Sequence, residues 1–289
     1  MAVSPKQRTT LNANSVTEFL KQVQKIRDLK GWFKGDRQWG PWFRGHQMAS
    51  WPLKPKLYRD RDFNYIKANN VEDEIREEFI KRAPVLCEKV PIGSEQRAEW
   101  EWYFMMQHFG AATRLLDWTE GALIALYFAV RSNAGSDDAA VWVLDPYQLN
   151  KRVIGKEWII PPSAVGVTKK DQKLISKWLP ARFTRMRGIP RKAVAIEPTH
   201  VVSRISSQHS CFTIHGKNPH SLEQFLDGKS SCLEKIVIPG SKANDIKREL
   251  RVYGINETTI FPDLDGLGRA IDARWEIGEH NVSKRTRAK

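Results

Sequence analysis

Apolar residues recur at helical spacing soon after the N-terminus. Val16, Phe19, Leu20, Val23, Ile26 and Leu29 form one stripe of VTEFLKQVQKIRDL, behind Ser15 as a cap and ahead of Gly31 as a stop, so the pattern predicts an amphipathic helix. Residues 71–83, VEDEIREEFIKRA, predict a second, with acids early and Lys81 and Arg82 late, as the helix dipole favours. A third is expected over residues 94–109 with Ser94 as its cap. GAATRLLDW then reads as a connector, and Thr119 as the cap of EGALIALYFAVRS, which is apolar nearly all round and is therefore expected to be a buried helix. Strand-length runs lie at Trp42–Arg44, 139–146, 192–198 and 210–216 and within CLEKIVIPG. Ser241 then precedes the helical pattern KANDIKRELRVY, which Gly254 closes.

Residues 1–13 are polar and expected to be mobile, residues 14–275 to form one domain, and residues 276–289 a basic tail. Residues 147–192, rich in Pro, Lys and Arg, are expected to be an insertion or a lid. With neither a repeat nor a low-complexity linker, the elements predict a single composite α+β domain of small mixed β-sheets and buried helices.

Composition bounds the setting. No apolar run approaches the length of a membrane span. The N-terminus has no apolar signal core, and the three cysteines, Cys87, Cys211 and Cys232, are widely spaced, so a cytoplasmic location is expected, with no membrane and no metal. The net charge of +14 suits nucleic acid, a phosphate-bearing ligand or an acidic protein partner, although solvated Lys and Arg also explain it. Trp32, Trp39, Trp42 and Trp51 cluster early among eleven tryptophans. Such rings stack bases when cations lie beside them, but their commoner use is to build a core.

The densest polar chemistry is QHFGAATRLLDW, where His108, Thr113, Arg114 and Asp117 stand at the door of the apolar helix. Arg114 and Asp117, three apart, would pair on a helical turn. That pair either fixes the entry to the buried helix or turns Arg114 to a cleft with Asp117 orienting it. His108 is a candidate general base or a satisfied polar residue. Gln107 and Thr113 could bind an amide or a ribose, or Thr113 could cap a turn. Arg44, between a ring and a glycine, suits a phosphate or carboxylate, or it pairs with an acid such as Asp117. Gly45 would let the backbone approach a ligand. Cys211 reads as a small core residue. Asp263 and Asp265 before Gly266 could bind a metal, but two acids without a third ligand fit turn formers better. The absence of Walker A, GxGxxG, GxSxG and HExxH patterns removes support for ordinary nucleotide hydrolases, dehydrogenases and zinc proteases.

Four ordered blocks resemble one family. They are Trp42-Phe43-Arg44-Gly45 with Trp51-Pro52-Leu53 and Pro55, then Gln107-His108 through Thr113-Arg114, Asp117-Trp118-Thr119 and Tyr127, then Ser207-Gln208 with Phe212-Thr213, and finally Tyr253-Gly254-Ile255 with Phe261, Asp263 and Asp265. This order resembles the FRG domain, named for Phe43-Arg44-Gly45, over roughly residues 15–275. It brings no agreed catalytic residues. A second resemblance is to the motif order of ADP-ribosyltransferases, which implies that Arg44 holds NAD phosphates, Thr113 forms the polar turn, and Tyr127 or Phe212 supplies the ring. That family's late Glu has no counterpart, since the third block carries Gln208. The expectation is a nucleotide-like ligand, NAD in particular, with ADP-ribose transfer or NAD cleavage in a bacterial or phage conflict system. Arg44, Gln107, Thr113, Arg114, Asp117, Tyr127, Gln208 and Phe212 would bind, and His108, Asp263 and Asp265 would be the catalytic candidates. The competing expectation is a non-catalytic basic module that engages nucleic acid or an acidic protein.

Overall fold

The computed structural model describes residues 11–30, 40–59, 65–87, 90–91, 95–133, 135–180, 189–198, 210–226 and 232–275. Seven strands form one mixed sheet: β1 (Leu11–Asn12), β2 (Trp42–His46), β3 (Leu115–Thr119), β4 (Ala139–Leu144), β5 (Val194–Ile196), β6 (Ser210–Ile214) and β7 (Leu233–Ile238). Their order is β1-β7-β4-β2-β3-β6-β5, antiparallel except where β1 joins β7. The chain is thus a single α+β domain, built on one wide sheet rather than on several small ones. The chain already enters the sheet at Leu11, within the stretch expected to be mobile.

Alternation along the strands gives the sheet two buried faces. One carries Phe43, Val141, Val143, Ile236 and Ile238 beneath α1 (Val16–Lys30) and α4 (Ala122–Val130), and continues through Leu115, Phe212 and Ile214 beneath α3 (Glu95–His108). The other carries Trp42, Trp142, Leu144, Leu116, Trp118 and Leu233, covered by Leu53 and by Leu149 of α5 (Pro146–Ile154). Helix α2 (Tyr65–Arg82) packs on α3, joined by the buried pair of Arg76 and Glu99 at 2.6 Å.

Several expectations shift by one element. The segment read as a connector is β3, buried in the middle of the sheet. Thr119 ends that strand instead of capping the next helix; its hydroxyl accepts from the Gly121 N–H, and Gly121 is the N-cap of α4. Ser241 lies in a 3-10 turn, and the helix behind it starts at Ala243. Gly31 and Ser94 lie outside the described residues. Within the stretch expected to be an insertion or lid, α5 is capped by Asp145, and Asn150 bonds both backbone groups of Ala195 in β5. Helix α6 (Lys169–Ile175) leads into Trp178 and Leu179, which join the core under α3. Helices α7 (Leu222–Phe225), α8 (Ala243–Val252), α9 (Glu257–Ile260) and α10 (Leu264–Arg274) complete the fold. No helix among the described residues is long and apolar enough to cross a membrane.

Candidate functional site

Strands β2 and β3 are neighbours, yet their register contains the single pair Phe43 and Thr119. Beyond it the strands part. β2 remains paired to β4 over five residues and β3 to β6 over five. The opening lies where Arg44 faces Asp117.

The Phe-Arg-Gly triplet sits on the rim, and each residue has its own task. Phe43 is buried beneath α4. Gly45 faces the same helix, and a Cβ there would stand 2.1 Å from the Ala125 carbonyl oxygen and 2.6 Å from the Ala129 nitrogen. The close approach that this glycine permits is to a helix backbone, not to a ligand. Arg44 points to the other face and reaches across the opening. Its Nη1 donates to the Asp117 backbone carbonyl at 2.6 Å and lies 3.6 Å from the carboxylate. Its Nε donates to Nε2 of His46 at 3.1 Å. Since that nitrogen accepts, the ring proton of His46 is on Nδ1, which donates to the Trp51 carbonyl at 3.2 Å. Burial, followed by the charge of Arg44, pushes the His46 pKa down to about 3, so the ring stays a neutral acceptor. Burial also lowers the pKa of Arg44, against the pull of Asp117. The Nη2 group of Arg44 has no partner among the described residues.

Asp117 is the one exposed position of β3, its side chain 52% accessible where the Arg44 side chain is 16% accessible. Both carboxylate oxygens accept from Gln107 Nε2 at 2.9 Å, from the last turn of α3. Thr113 in turn donates its hydroxyl to Oε1 of the Gln107 side chain and accepts from the Leu115 N–H at 3.1 Å. A polar chain therefore runs from Thr113 through Gln107, Asp117 and Arg44 to His46 and Trp51. It holds a carboxylate and a guanidinium side by side with part of each open.

Four of the expected site residues meet here: Arg44, Gln107, Thr113 and Asp117. Arg114 does not. Arg114 stands just before β3 and not on a helical turn with Asp117, so the three-residue spacing does not bring the two side chains together. Arg114, 1% exposed in its side chain, pairs with Glu72 of α2 at 2.8 Å and donates to the His215 and Trp178 carbonyls. Its charge is sealed in the core. Phe212 is likewise core, stacked on Phe104 at 5.4 Å. Tyr127 is buried with its hydroxyl on Glu257 at 2.5 Å. His108 ends α3 one residue beyond Gln107, its ring edge-on to Phe109. Asp263 caps α10 by accepting from the Gly266 N–H at 2.7 Å, and Asp265 is exposed in the first turn of that helix. Gln208 lies outside the described residues. Glu72 and His46 were not singled out from the sequence. His46 directly follows Gly45, whereas nothing local marks Glu72, 42 residues before its partner. Among the described residues no group of three potential metal ligands forms.

These features define an α+β protein with a polar opening in the middle of its sheet, rimmed by Phe-Arg-Gly and faced by an exposed aspartate. Residues 40–138 match the family model of the FRG domain, and the chain carries that domain. The match holds Arg44, Gln107, Thr113 and Asp117, and ends before the third and fourth blocks of the resemblance. Comparison with curated proteins and with solved structures finds no match.

Proposed function

We propose that the opening between β2 and β3 binds a nucleotide-like anion. Arg44 takes a phosphate oxygen on its free edge, and Asp117 accepts from ribose hydroxyls. The observation that carries this reading is the half-open Arg44–Asp117 pair. A purely structural ion pair closes on itself, as Arg114 does on Glu72. Here the two charged groups stand 3.6 Å apart, each fixed by other partners. Such fixed, partly dry groups recognise a ligand with little reorganisation.

Asp117 is also the acid that ribosyl chemistry requires, in place of Asp263 or Asp265. A carboxylate beside the ribose stabilises positive charge that develops at its anomeric carbon as the bond to the base breaks. NAD presents both phosphates and such a bond, so NAD cleavage or ADP-ribose transfer is the reaction class that fits, in the setting of a bacterial or phage conflict system. The test is calorimetric titration of the full chain with NAD, ADP-ribose and AMP, together with measurement of nicotinamide release. Arg44→Gln removes a charge-assisted contact, and affinity is expected to fall by about tenfold or more. Asp117→Asn is expected to abolish turnover while binding persists. If none of the three compounds binds, the proposal fails.

A further inference from the structure

We infer that Trp51 is the base platform of this opening, so that its ligand is a nucleotide with its base on the Trp51 ring and its phosphate on Arg44. This rests on the nucleotide-like reading above and adds which residue reads the base. Trp42, Trp118 and Trp142, on the same side of the sheet, are all buried, whereas Trp51 is 45% exposed. Yet the residue is held. Its N–H donates to the Met48 carbonyl at 3.1 Å, and its carbonyl takes the His46 Nδ1 proton. Two residues on, Leu53 is fully buried and donates its N–H to the Glu223 carboxylate at 3.1 Å. The ring lies edge-on to His46 with centroids 6.2 Å apart. His46 bonds Arg44, so the exposed ring and the free guanidinium edge are separated by one side chain.

The surroundings supply the second half. Arg44 donates to the His46 ring at 3.1 Å, and the charges of Arg59 and of Lys235, whose Nζ donates to the Ala49 carbonyl and lies 5.0 Å from the Trp142 ring centroid, also act on that ring. Arg59 is exposed, its Nε donating to the Lys54 carbonyl at 3.3 Å. Cations alone would serve inorganic phosphate, and an exposed ring alone would serve an apolar group. The two together, joined by a rigid linkage, match a base with a phosphate attached.

The experiment is titration of the full chain with AMP and with ribose 5-phosphate, which lacks the base. Wild type is expected to prefer AMP. Trp51→Ala should erase that preference, a loss on the order of 5- to 150-fold in AMP affinity, with ribose 5-phosphate affinity unchanged. Trp51→Phe should retain most of the preference, which a merely structural residue would not require of its replacement. Arg44→Gln should weaken both ligands alike. Equal binding of AMP and ribose 5-phosphate by wild type, or a preference that survives Trp51→Ala, would overturn the role of Trp51 and leave the anion site standing. If neither compound binds, the nucleotide reading itself falls, and Trp51 with it.

Discussion

Loss of the Glu72 carboxylate should be among the most damaging single changes in this protein, although Glu72 lies far from the opening in the sheet. Arg114 is buried, and every group of its side chain is committed: Nε to Glu72 at 2.8 Å, Nη1 to the His215 carbonyl at 2.8 Å and Nη2 to the Trp178 carbonyl at 2.6 Å. Tyr103 closes the network by accepting from the Arg114 N–H at 2.8 Å and donating to Glu72, and its burial next to that carboxylate pushes the phenol pKa well up. Glu72→Met leaves a cation in a site without water, a change that costs about 3–5 kcal/mol when a buried pair is broken from one side. Arg114→Met should cost a similar amount, since it strands a carboxylate and two carbonyls. The double variant removes both charges, so its loss should fall short of the summed single losses by several kcal/mol. Urea unfolding followed by tryptophan fluorescence and circular dichroism measures all three. Strictly additive losses, or single losses below about 1 kcal/mol, would refute the view that charge compensation holds α2 against the sheet.

Two further changes test other parts of the fold. His46 and His215 are both buried with pKa values of about 3, set first by burial and then by neighbouring arginines. As pH falls, the unfolded chain therefore takes up these protons first, near 6.5, so stability is intact above that value and is lost on acidification toward 3. Each ring should cost about 2 kcal/mol between pH 7 and pH 5; urea titrations at the two pH values check this, and a His215→Gln variant should show about half the slope. Gly45→Ala places a methyl group against the α4 backbone, an overpacking of about 3 kcal/mol, visible as a fall in Tm of roughly 6–12 °C; an unchanged Tm would mean that α4 does not rest on this glycine.

Long, periodic elements were legible in the sequence: α1, the second half of α2, α3 and the buried α4 stand where the apolar spacing puts them. Strand β3 was not, because LLDWT follows Gly110 and the short stretch Ala111-Ala112-Thr113-Arg114 and carries a charge at its centre, so it reads as a connector. Only the neighbours β2 and β6 make it a strand. That single misreading also explains the wrong partner for Arg114. On a helical turn a spacing of three unites two side chains; Arg114, one residue before β3, is on no such turn. Glu72 supplies the charge instead, through a contact that no local pattern announces. Within the site, Arg44, Gln107, Thr113 and Asp117 were recognisable as polar residues beside buried segments. Their order along one polar chain depends on the parting of β2 from β3.

The two arginines show what distinguishes a structural charge from an available one. Both arise at strands of the same sheet, and both lie beside an acid. Arg114 meets its acid in a dry core, with all of its donors satisfied. Arg44 meets Asp117 at an opening, its position set by a neutral histidine and a backbone carbonyl, with the carboxylate committed to Gln107. The Phe-Arg-Gly triplet makes this arrangement possible by dividing its labour. Phe43 and Gly45 seat β2 tightly beneath α4 on one face, which turns Arg44 to the other and toward the gap. The precision of Arg44 is therefore inherited from α4. On the proposed reading, a Gly45→Ala protein that still folds should bind nucleotides more weakly than wild type, even though the nearest neighbours of the added methyl group are α4 backbone atoms.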